Sequence, residues 1–304
     1  MHQMTVHSKF DTFPWPNPMG RFETPVWRGA GFLVGVERRR ILEFGDAESH
    51  WSPELTALHE QEAGVNHPID QASRSLAVES LEQFLDVQEP VILDVGSSSG
   101  YILREIQRAF PRAALIGSDY LVEPLLTLAN NMPELPILQF DLRHCPLPDQ
   151  CVDAVTALNV LEHIDQHEKA LGQIYRILRP GGIAHIEVPA GPDLFDVYDE
   201  LLLHHRRYKL EELVTMVRRA GFEVLKRTHL GFLIFGPFWF VKKRNQRLLS
   251  LPKSQKKQIV TLQIRNSTRS RILASCLTIE RFFGRRISYP WGIRCVVVGL
   301  KKNA

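Results

Sequence analysis

Acidic residues stand at the ends of three predicted strands, and the first of them begins a glycine-containing turn. This turn reads Asp94-Val-Gly96-Ser-Ser-Ser-Gly100, and Asp119 and Asp141 end the next two strands. Glycine lets the backbone turn tightly and approach a ligand closely. An acid about 20 residues beyond such a turn can accept hydrogen bonds from ribose hydroxyls. These residues predict a nucleoside site, with Asp119 at the ribose and Asp141 at an adenine amino group.

Each feature also has a purely structural explanation. Two glycines four residues apart occur in ordinary strand-to-helix turns, and single carboxylates often cap helices or face solvent. Three acids at one sheet edge are harder to explain by packing alone, because the carboxyl ends of parallel strands meet where ligands bind. The nucleoside interpretation is therefore favoured.

The charge of the first turn distinguishes between nucleoside ligands. NAD-binding turns need the spacing GxGxxG and place a phosphate at a helix N-terminus, and P-loops need GxxxxGK followed by Ser or Thr. The turn has neither pattern. Asp94 would bring negative charge towards a pyrophosphate, whereas S-adenosylmethionine (SAM) has no phosphate and carries sulfonium and ammonium cations. The electrostatics favour SAM.

The same segments resemble the motifs of the class I SAM-dependent methyltransferases, particularly their small-molecule branch. The resemblance covers about 75–230 and the last strand, 287–302, with five motifs in the family order: VILDVGSSSGYI, IGSDYL, FDLRHCPLPDQCVDAV, NVLEHI and LRPGG. Ser98 stands where the family most often has glycine. The resemblance implies a seven-stranded sheet with an antiparallel last strand. It also implies SAM contacts from residues at the strand ends: Asp94, Gly96, Ser97, Ser98, Gly100, Asp119, Tyr120, Asp141, Leu142 and Asn159.

Residues for a methyl acceptor are less sharply defined. Methyl transfer from a sulfonium depends on holding the acceptor in line, and a base helps when the acceptor is a hydroxyl. His163 is the candidate base, because imidazole accepts a proton near neutral pH, although it could equally orient a neighbour. A later stretch supplies candidate substrate contacts, with a solvated polar face as the alternative: His204, His205, Arg206 and Tyr208. No metal is expected, because adjacent histidines diverge and no third ligand is evident.

Hydrophobic patterning predicts alternating strands and helices around these residues. Apolar runs predict seven strands at 91–95, 114–119, 136–140, 152–158, 183–189, 222–228 and 293–300. Helical periodicity predicts helices from residue 71, from about residue 100, and over 166–178 and 209–220. The alternation predicts a doubly wound α/β fold with a Rossmann-like, mostly parallel sheet.

The predicted organisation has four parts. An N-terminal extension (1–68), in which a hairpin could turn near Gly35, precedes a SAM-binding core (69–230). A basic helical insertion (231–286) separates this core from its last strand (287–304). The interruption between the last two predicted strands is far longer than an ordinary hairpin connection, so it predicts added structure.

The insertion is the most basic part of the chain. Its residues 242–286 hold thirteen Lys or Arg against a single acid, although the net charge of the chain is only +3. It begins with an uncharged stretch, 230–241, and later apolar residues trace one helical face: Ile272, Cys276, Ile279 and Phe283. Apolar surface beside many bases is what peripheral attachment to an anionic membrane needs. The favoured interpretation, however, is that the stretch ends a core strand and the bases are solvated. Binding of RNA phosphates by the bases is the least favoured.

Cellular location and function follow as expectations. Four cysteines without CxxC spacing indicate a reducing compartment, and the chain shows no signal-peptide pattern and no apolar run of the roughly 20 residues needed to span a bilayer. We expect a cytoplasmic protein, or one peripheral at the membrane. The favoured function is SAM-dependent methyl transfer to a small or lipid-linked acceptor, preferably at oxygen. The alternatives are an RNA methyltransferase that uses the insertion and a SAM-binding protein without catalysis.

Overall fold

The computed structural model describes residues 9–45 and 66–303. Four short strands precede the core: β1 (Val26–Trp27), β2 (Phe32–Val34), β3 (Glu37–Arg39) and β4 (Leu42–Glu43). β2 and β3 form the hairpin expected near Gly35, which lies between them with φ of 58°. β1 pairs antiparallel with β2, so the first three strands form a small sheet. β4 is not part of it and belongs to the main sheet.

All seven predicted core strands are present: β5 (Val91–Val95), β6 (Ala114–Asp119), β7 (Ile137–Gln139), β8 (Val152–Leu158), β9 (Leu178–Pro189), β10 (Glu223–Leu230) and β11 (Arg294–Leu300). The main sheet has the order β10-β11-β9-β8-β5-β6-β7-β4. β11 runs antiparallel to both of its neighbours, as the resemblance implied, and the remaining pairs are parallel. The described sheet therefore has eight strands rather than seven, because the N-terminal extension supplies an edge strand beside β7.

Within the described ranges, six helices connect these strands: α1 (Pro68–Phe84), α2 (Tyr101–Ala109), α3 (Val122–Asn131), α4 (His167–Ile177), α5 (Val197–Leu201) and α6 (Leu210–Arg219). The sequence predicted four of them and missed α3 and the short α5. Pro124 resembles a helix breaker, but it is the third residue of α3. Backbone N–H groups in the first turn of a helix make no intrahelical hydrogen bond. A proline there removes no such bond and is tolerated.

The core lies on both faces of the main sheet. Successive side chains of a strand point to opposite faces, so Leu93 belongs to one apolar cluster and Ile92 to the other. The first cluster includes α4, α6 and aromatic side chains of the N-terminal segment, among them Trp15 and Trp27. The second includes α1, α2 and α3. Helices thus cover both faces, which confirms the doubly wound arrangement.

The insertion is helical, as predicted: α7 (Phe235–Gln246), α8 (Lys253–Thr268) and α9 (Arg271–Gly284). Since β10 ends at Leu230, the uncharged stretch 230–241 is mainly a loop and the start of α7, and it does not extend the core strand. None of the helices in the described part of the chain is long and apolar enough to cross a membrane.

Two lysines of the insertion are buried in ion pairs with the core. Lys242 Nζ lies 2.7 Å from Asp196 Oδ1 and 3.0 Å from Asp199 Oδ2. Lys256 Nζ lies 2.8 Å from Glu200 Oε2. A buried charge is costly unless it is paired, so these contacts hold α7 and α8 against α5 and its flanking loop. The bases of the insertion are therefore only partly a solvated surface.

Gly100 provides a test of how closely the start of α2 packs against α3. It has φ of +86°, and an added Cβ would lie 2.4 Å from Leu128 Cδ1. We expect Gly100→Ala to lower the free energy of unfolding by about 1–3 kcal/mol, since backbone strain alone costs that much. Chemical denaturation measures the change.

Gly172→Ala is the matched control, because a Cβ at this position in α4 would meet nothing within 4 Å. Alanine in a helix is favoured over glycine by about 1 kcal/mol, so this variant should be as stable as the parent or more so. An equal loss of stability in both variants would contradict the described packing of α2.

Candidate cofactor and acceptor site

A cavity of about 1470 Å³ opens at the carboxyl ends of β5, β6 and β8. Its wall includes nine of the ten residues predicted to contact the cofactor: Asp94, Gly96, Ser97, Ser98, Asp119, Tyr120, Asp141, Leu142 and Asn159. The exception is Gly100, which packs beside Leu128 instead. Because parallel strands end at one edge, residues up to 65 positions apart in the chain meet around this cavity.

The turn after β5 needs glycine for both space and backbone conformation. Gly96 has φ of +76°, and a Cβ there would lie 2.7 Å from Val160 Cγ2. Ser98 also lies in the left-handed region, with φ of 47°, and its backbone N–H donates to Asp119 Oδ2 at 3.0 Å. That conformation costs most residues about 1–2 kcal/mol, which explains why glycine is the commoner choice at this position in the family that the motif resembles.

Asp94 is a buried carboxylate at the cavity wall. Its Oδ1 accepts a hydrogen bond from Thr156 Oγ1 at 2.6 Å, while Oδ2 accepts none from the residues that the structure describes. Burial raises the pKa of Asp94 to about 7, against the lowering effect of the Thr156 hydrogen bond. A buried carboxylate oxygen with unused acceptor capacity fits a cationic ligand, because an ammonium group would supply both the hydrogen bond and the opposite charge.

The other two acids are already engaged with the protein. Asp119 accepts backbone N–H bonds from Ser98 and Leu121, one on each carboxylate oxygen. Asp141 accepts from both the backbone N and the Nε of Arg143. Although burial acts in the opposite direction, the Arg143 contacts hold the pKa of Asp141 below its usual range. These contacts fix the orientation of both carboxylates, and both residues line the cavity.

The predicted acceptor residues divide into two groups. His163, His204 and His205 line the cavity, but Arg206 and Tyr208 do not. Arg206 donates to the carbonyl oxygens of Ile164 and Asp165, and the Tyr208 hydroxyl lies 2.7 Å from Nδ1 of His167. This corrects the expectation that both contact substrate. Arg207, which belongs to the same stretch, lines the cavity instead.

His163 is a weak candidate for a base. Burial, reinforced by the neighbouring His204 and His205, lowers the pKa of its imidazole well below the ordinary value. The ring is therefore neutral near pH 7 but has little affinity for a proton. A positioning or ligand role suits it better than proton abstraction.

A polar network on the cavity was missed by the sequence analysis. Arg294 of β11 lies 2.7 Å from carboxylate oxygens of both Asp70 in α1 and Glu187 in β9. Its NH1 also donates to the Ser73 hydroxyl. Asp70, Ser73 and Arg294 line the cavity. The apolar periodicity of α1 shows that the helix packs on the sheet, but it does not reveal a polar partner more than 200 residues away.

Known proteins resemble this chain in the same region. The methyltransferase-domain family matches residues 93–186. The Thermus thermophilus demethylmenaquinone methyltransferase is 33% identical over 107 residues, which are 33% of this chain and 48% of that protein. The Aspergillus fumigatus sterol 24-C-methyltransferase erg6 is 26% identical over 246 residues, which are 71% of this chain and 62% of that protein.

The fold is also shared with solved structures. Haemonchus contortus phosphoethanolamine N-methyltransferase 2, solved with SAM, matches with a TM-score of 0.52 and 15% identity over 82% of this chain and 60% of that chain. Residues 93–186 of this chain thus match the methyltransferase domain, and the relatives are SAM-dependent methyltransferases. SAM is the cofactor of this family, so the prediction from the charge of the first turn is confirmed. The chain spans about half the length of the first two curated relatives.

Asp94 should give the SAM affinity of this protein a pH dependence. The ammonium group is attracted by the ionised carboxylate, and burial raises the pKa of Asp94 to about 7. Affinity should therefore rise up to tenfold per pH unit below about pH 7 and level off above it. Isothermal titration calorimetry between about pH 5.5 and about pH 8 measures this profile.

Thr156→Val tests whether Asp94 is the source of this pH dependence. It removes the hydrogen bond that favours the ionised form of Asp94, so the midpoint of the affinity profile should move to higher pH. Thr215→Val, on the exposed side of α6, is the matched control and should leave the midpoint in place. A flat profile in the unmodified protein would remove Asp94 from the ammonium site.

Proposed function

We propose that this protein is a SAM-dependent methyltransferase that acts on a small or lipid-linked acceptor, at oxygen. The observation that carries the proposal is that one cavity is bounded both by the strand-end acids and by the insertion. Strand-end acids form one side, and apolar side chains of the insertion form another, among them Leu233, Pro237, Phe238 and Leu273. At about 1470 Å³ the cavity exceeds the roughly 300–1000 Å³ of a typical ligand pocket, so it has room for a nucleoside and a second, apolar molecule.

The residues of this chain would act mainly by positioning. SAM supplies a methyl group on a sulfonium centre that is already a good leaving group. Asp94 and Asp119 hold the cofactor end, and the walls of the cavity orient the acceptor and exclude water. Correct placement of two reactants can lower a barrier by about 7–11 kcal/mol, so no strong base is required.

The relatives support an apolar acceptor over RNA. Two of them are named for demethylmenaquinone and sterol as acceptors. In addition, Lys242 and Lys256 are buried in ion pairs within the protein, so they are not available to bind phosphates. The named relatives also include a carbon methyltransferase, so the position of the methyl group in the product decides between oxygen and carbon.

Transfer of labelled methyl groups tests the proposed activity. The protein is incubated with labelled SAM and separate lipid, small-molecule and RNA fractions of a cell extract, and label is expected in the lipid or small-molecule fraction. Asp119→Ala should raise the KM for SAM roughly 10–100-fold, since each charge-assisted hydrogen bond is worth about 1.5–3 kcal/mol. Asp149→Ala, an exposed acid away from the cavity, is the control. Label in RNA alone, or SAM binding without transfer, would overturn the proposal.

The insertion also presents apolar side chains to solvent. On α9, Ile272, Ile279 and Phe282 are 80%, 51% and 71% exposed, and their spacing of seven and three residues places them on one helical face. Arg271 and Arg286, at the two ends of this stripe, are exposed as well. We further propose that this face contacts an anionic membrane surface, because apolar burial and attraction between arginines and lipid headgroups act together there.

Liposome sedimentation tests the membrane contact. Binding to vesicles that contain anionic phosphatidylglycerol should be strong in low salt and weaker in high salt. Phe282→Asn should weaken it about tenfold, since burying such a side chain is worth roughly 1.5–3 kcal/mol. Phe22→Asn changes an even more exposed phenylalanine outside the insertion and should have no effect. Equal binding by both variants would argue against contact through α9.

A further inference from the structure

Three potential ligand residues meet on the acceptor side of the cavity. Glu162 and His163 lie in the short turn after β8, and His204 lies in the loop after α5. One ligand atom from each residue falls within 4.8 Å of the others, and all three residues line the cavity. The two imidazole rings are 4.6 Å apart at their centroids and meet at 75°. The fold thus assembles a carboxylate and two imidazoles from segments about 40 residues apart.

The backbone holds these two segments together. The N–H of His205 donates to the carbonyl oxygen of Glu162 at 2.8 Å, and the ring of His163 hydrogen-bonds to the backbone of Leu202. Both contacts join the turn after β8 to the loop that carries His204. The spacing of the three side chains is therefore set by the fold and does not depend on a ligand being bound.

Glu162 is the member of the cluster whose burial is costly without a bound ligand. Its side chain is 0% exposed, and neither carboxylate oxygen has a hydrogen-bond partner on another described residue. Arg207 and Arg294 act on it only through longer-range attraction, and burial raises its pKa to about 8. Burying a carboxyl group without partners costs several kcal/mol. A bound cation would remove that cost.

His204 is already oriented as metal-binding histidines usually are. Its Nδ1 lies 2.8 Å from Asp199 Oδ1. Asp199 also contacts the cationic groups of Arg207 and Lys242, which keeps its carboxylate ionised and able only to accept hydrogen bonds. Nδ1 of His204 therefore carries the proton, and the lone pair is on Nε2. A carboxylate that holds the second nitrogen of a ligating histidine is the common arrangement around metals.

We propose that Glu162, His163 and His204 bind a divalent transition-metal ion, preferably Zn²⁺. Two imidazoles and one carboxylate form a ligand set of catalytic zinc sites, in which the fourth position stays open. All three ligand residues line the cavity in which we place the acceptor. This finding revises the expectation of no metal: its reasoning found no third ligand because it considered only His204 and His205, whereas the fold adds Glu162 and His163.

The metal would act on the acceptor. Coordination of a hydroxyl oxygen lowers its pKa by several units, and this would remove the need for the base that His163 is poorly suited to provide. The role in activation rests on the proposed methyltransferase function, whereas the metal site itself does not. The two are therefore tested separately.

Metal binding is measured on the purified full chain after removal of metals with a chelator. Calorimetry with Zn²⁺ should show one equivalent bound, and Co²⁺ should give a visible d–d absorption band of tetrahedral intensity. Glu162→Gln and His204→Gln should each weaken Zn²⁺ binding at least 100-fold and abolish the band. His144→Gln, in which a 68% exposed histidine away from the cluster is changed, should leave both unchanged.

The outcomes distinguish the metal site from the activation role and from the proposed function. Glu162→Gln preserves side-chain shape, and an unchanged SAM affinity confirms that it is folded with its cofactor site intact. Absence of a cobalt band in the unmodified protein, or equal Zn²⁺ affinity in all variants, would overturn the metal site. Methyl transfer that persists without bound metal would leave the proposed function standing and refute the activation role. Metal binding without any methyl transfer would leave the metal site standing and overturn both the proposed function and the activation role that rests on it.

Discussion

Buried carboxyl groups that lack full hydrogen bonding, at the carboxyl edge of the sheet, are the constraint around which this molecule is organised. Asp94 is buried with one oxygen bonded to Thr156 and the other facing the cavity. Glu162 is buried in a similar state on the acceptor side. A carboxylate in a low-dielectric surrounding favours any ligand that brings positive charge. The cavity is therefore built to hold cations, a sulfonium compound near β5 and, in our proposal, a metal ion near β8.

Asp199 connects the insertion to the acceptor side of the cavity. It contacts Lys242 of α7, Arg207 and His204. Burial acts in the opposite direction, but these partners hold the pKa of its carboxyl well below the usual range. The same residue thus anchors the helix that forms the apolar wall and orients a histidine inside the cavity. The placement of the wall and the chemistry of the site depend on one buried charge.

Most of the cofactor side could be predicted from the sequence. The acids, the glycines and the strand pattern are local features, and parallel strands bring their carboxyl ends together wherever the chain forms such a sheet. The acceptor side could be predicted only in part. The sequence does not show which of the adjacent polar residues in 204–208 reach the cavity. In the structure, the path of the loop places His204 and Arg207 at the cavity wall and Arg206 and Tyr208 elsewhere. The eighth strand and the contact of Arg294 with Asp70 join distant segments and leave no local pattern.

By itself, the sequence determined the alternation of strands and helices, the cofactor and the position of the basic insertion, because periodicity, strand-end acids and charge are properties of neighbouring residues. Only the tertiary structure decided which side chains share the cavity, how deeply Asp94 and Glu162 are buried, and which partners each one has. The physical reason is that burial and pairing depend on segments that are far apart in the chain. The energy of a charged group is set by those surroundings and not by the residue type alone.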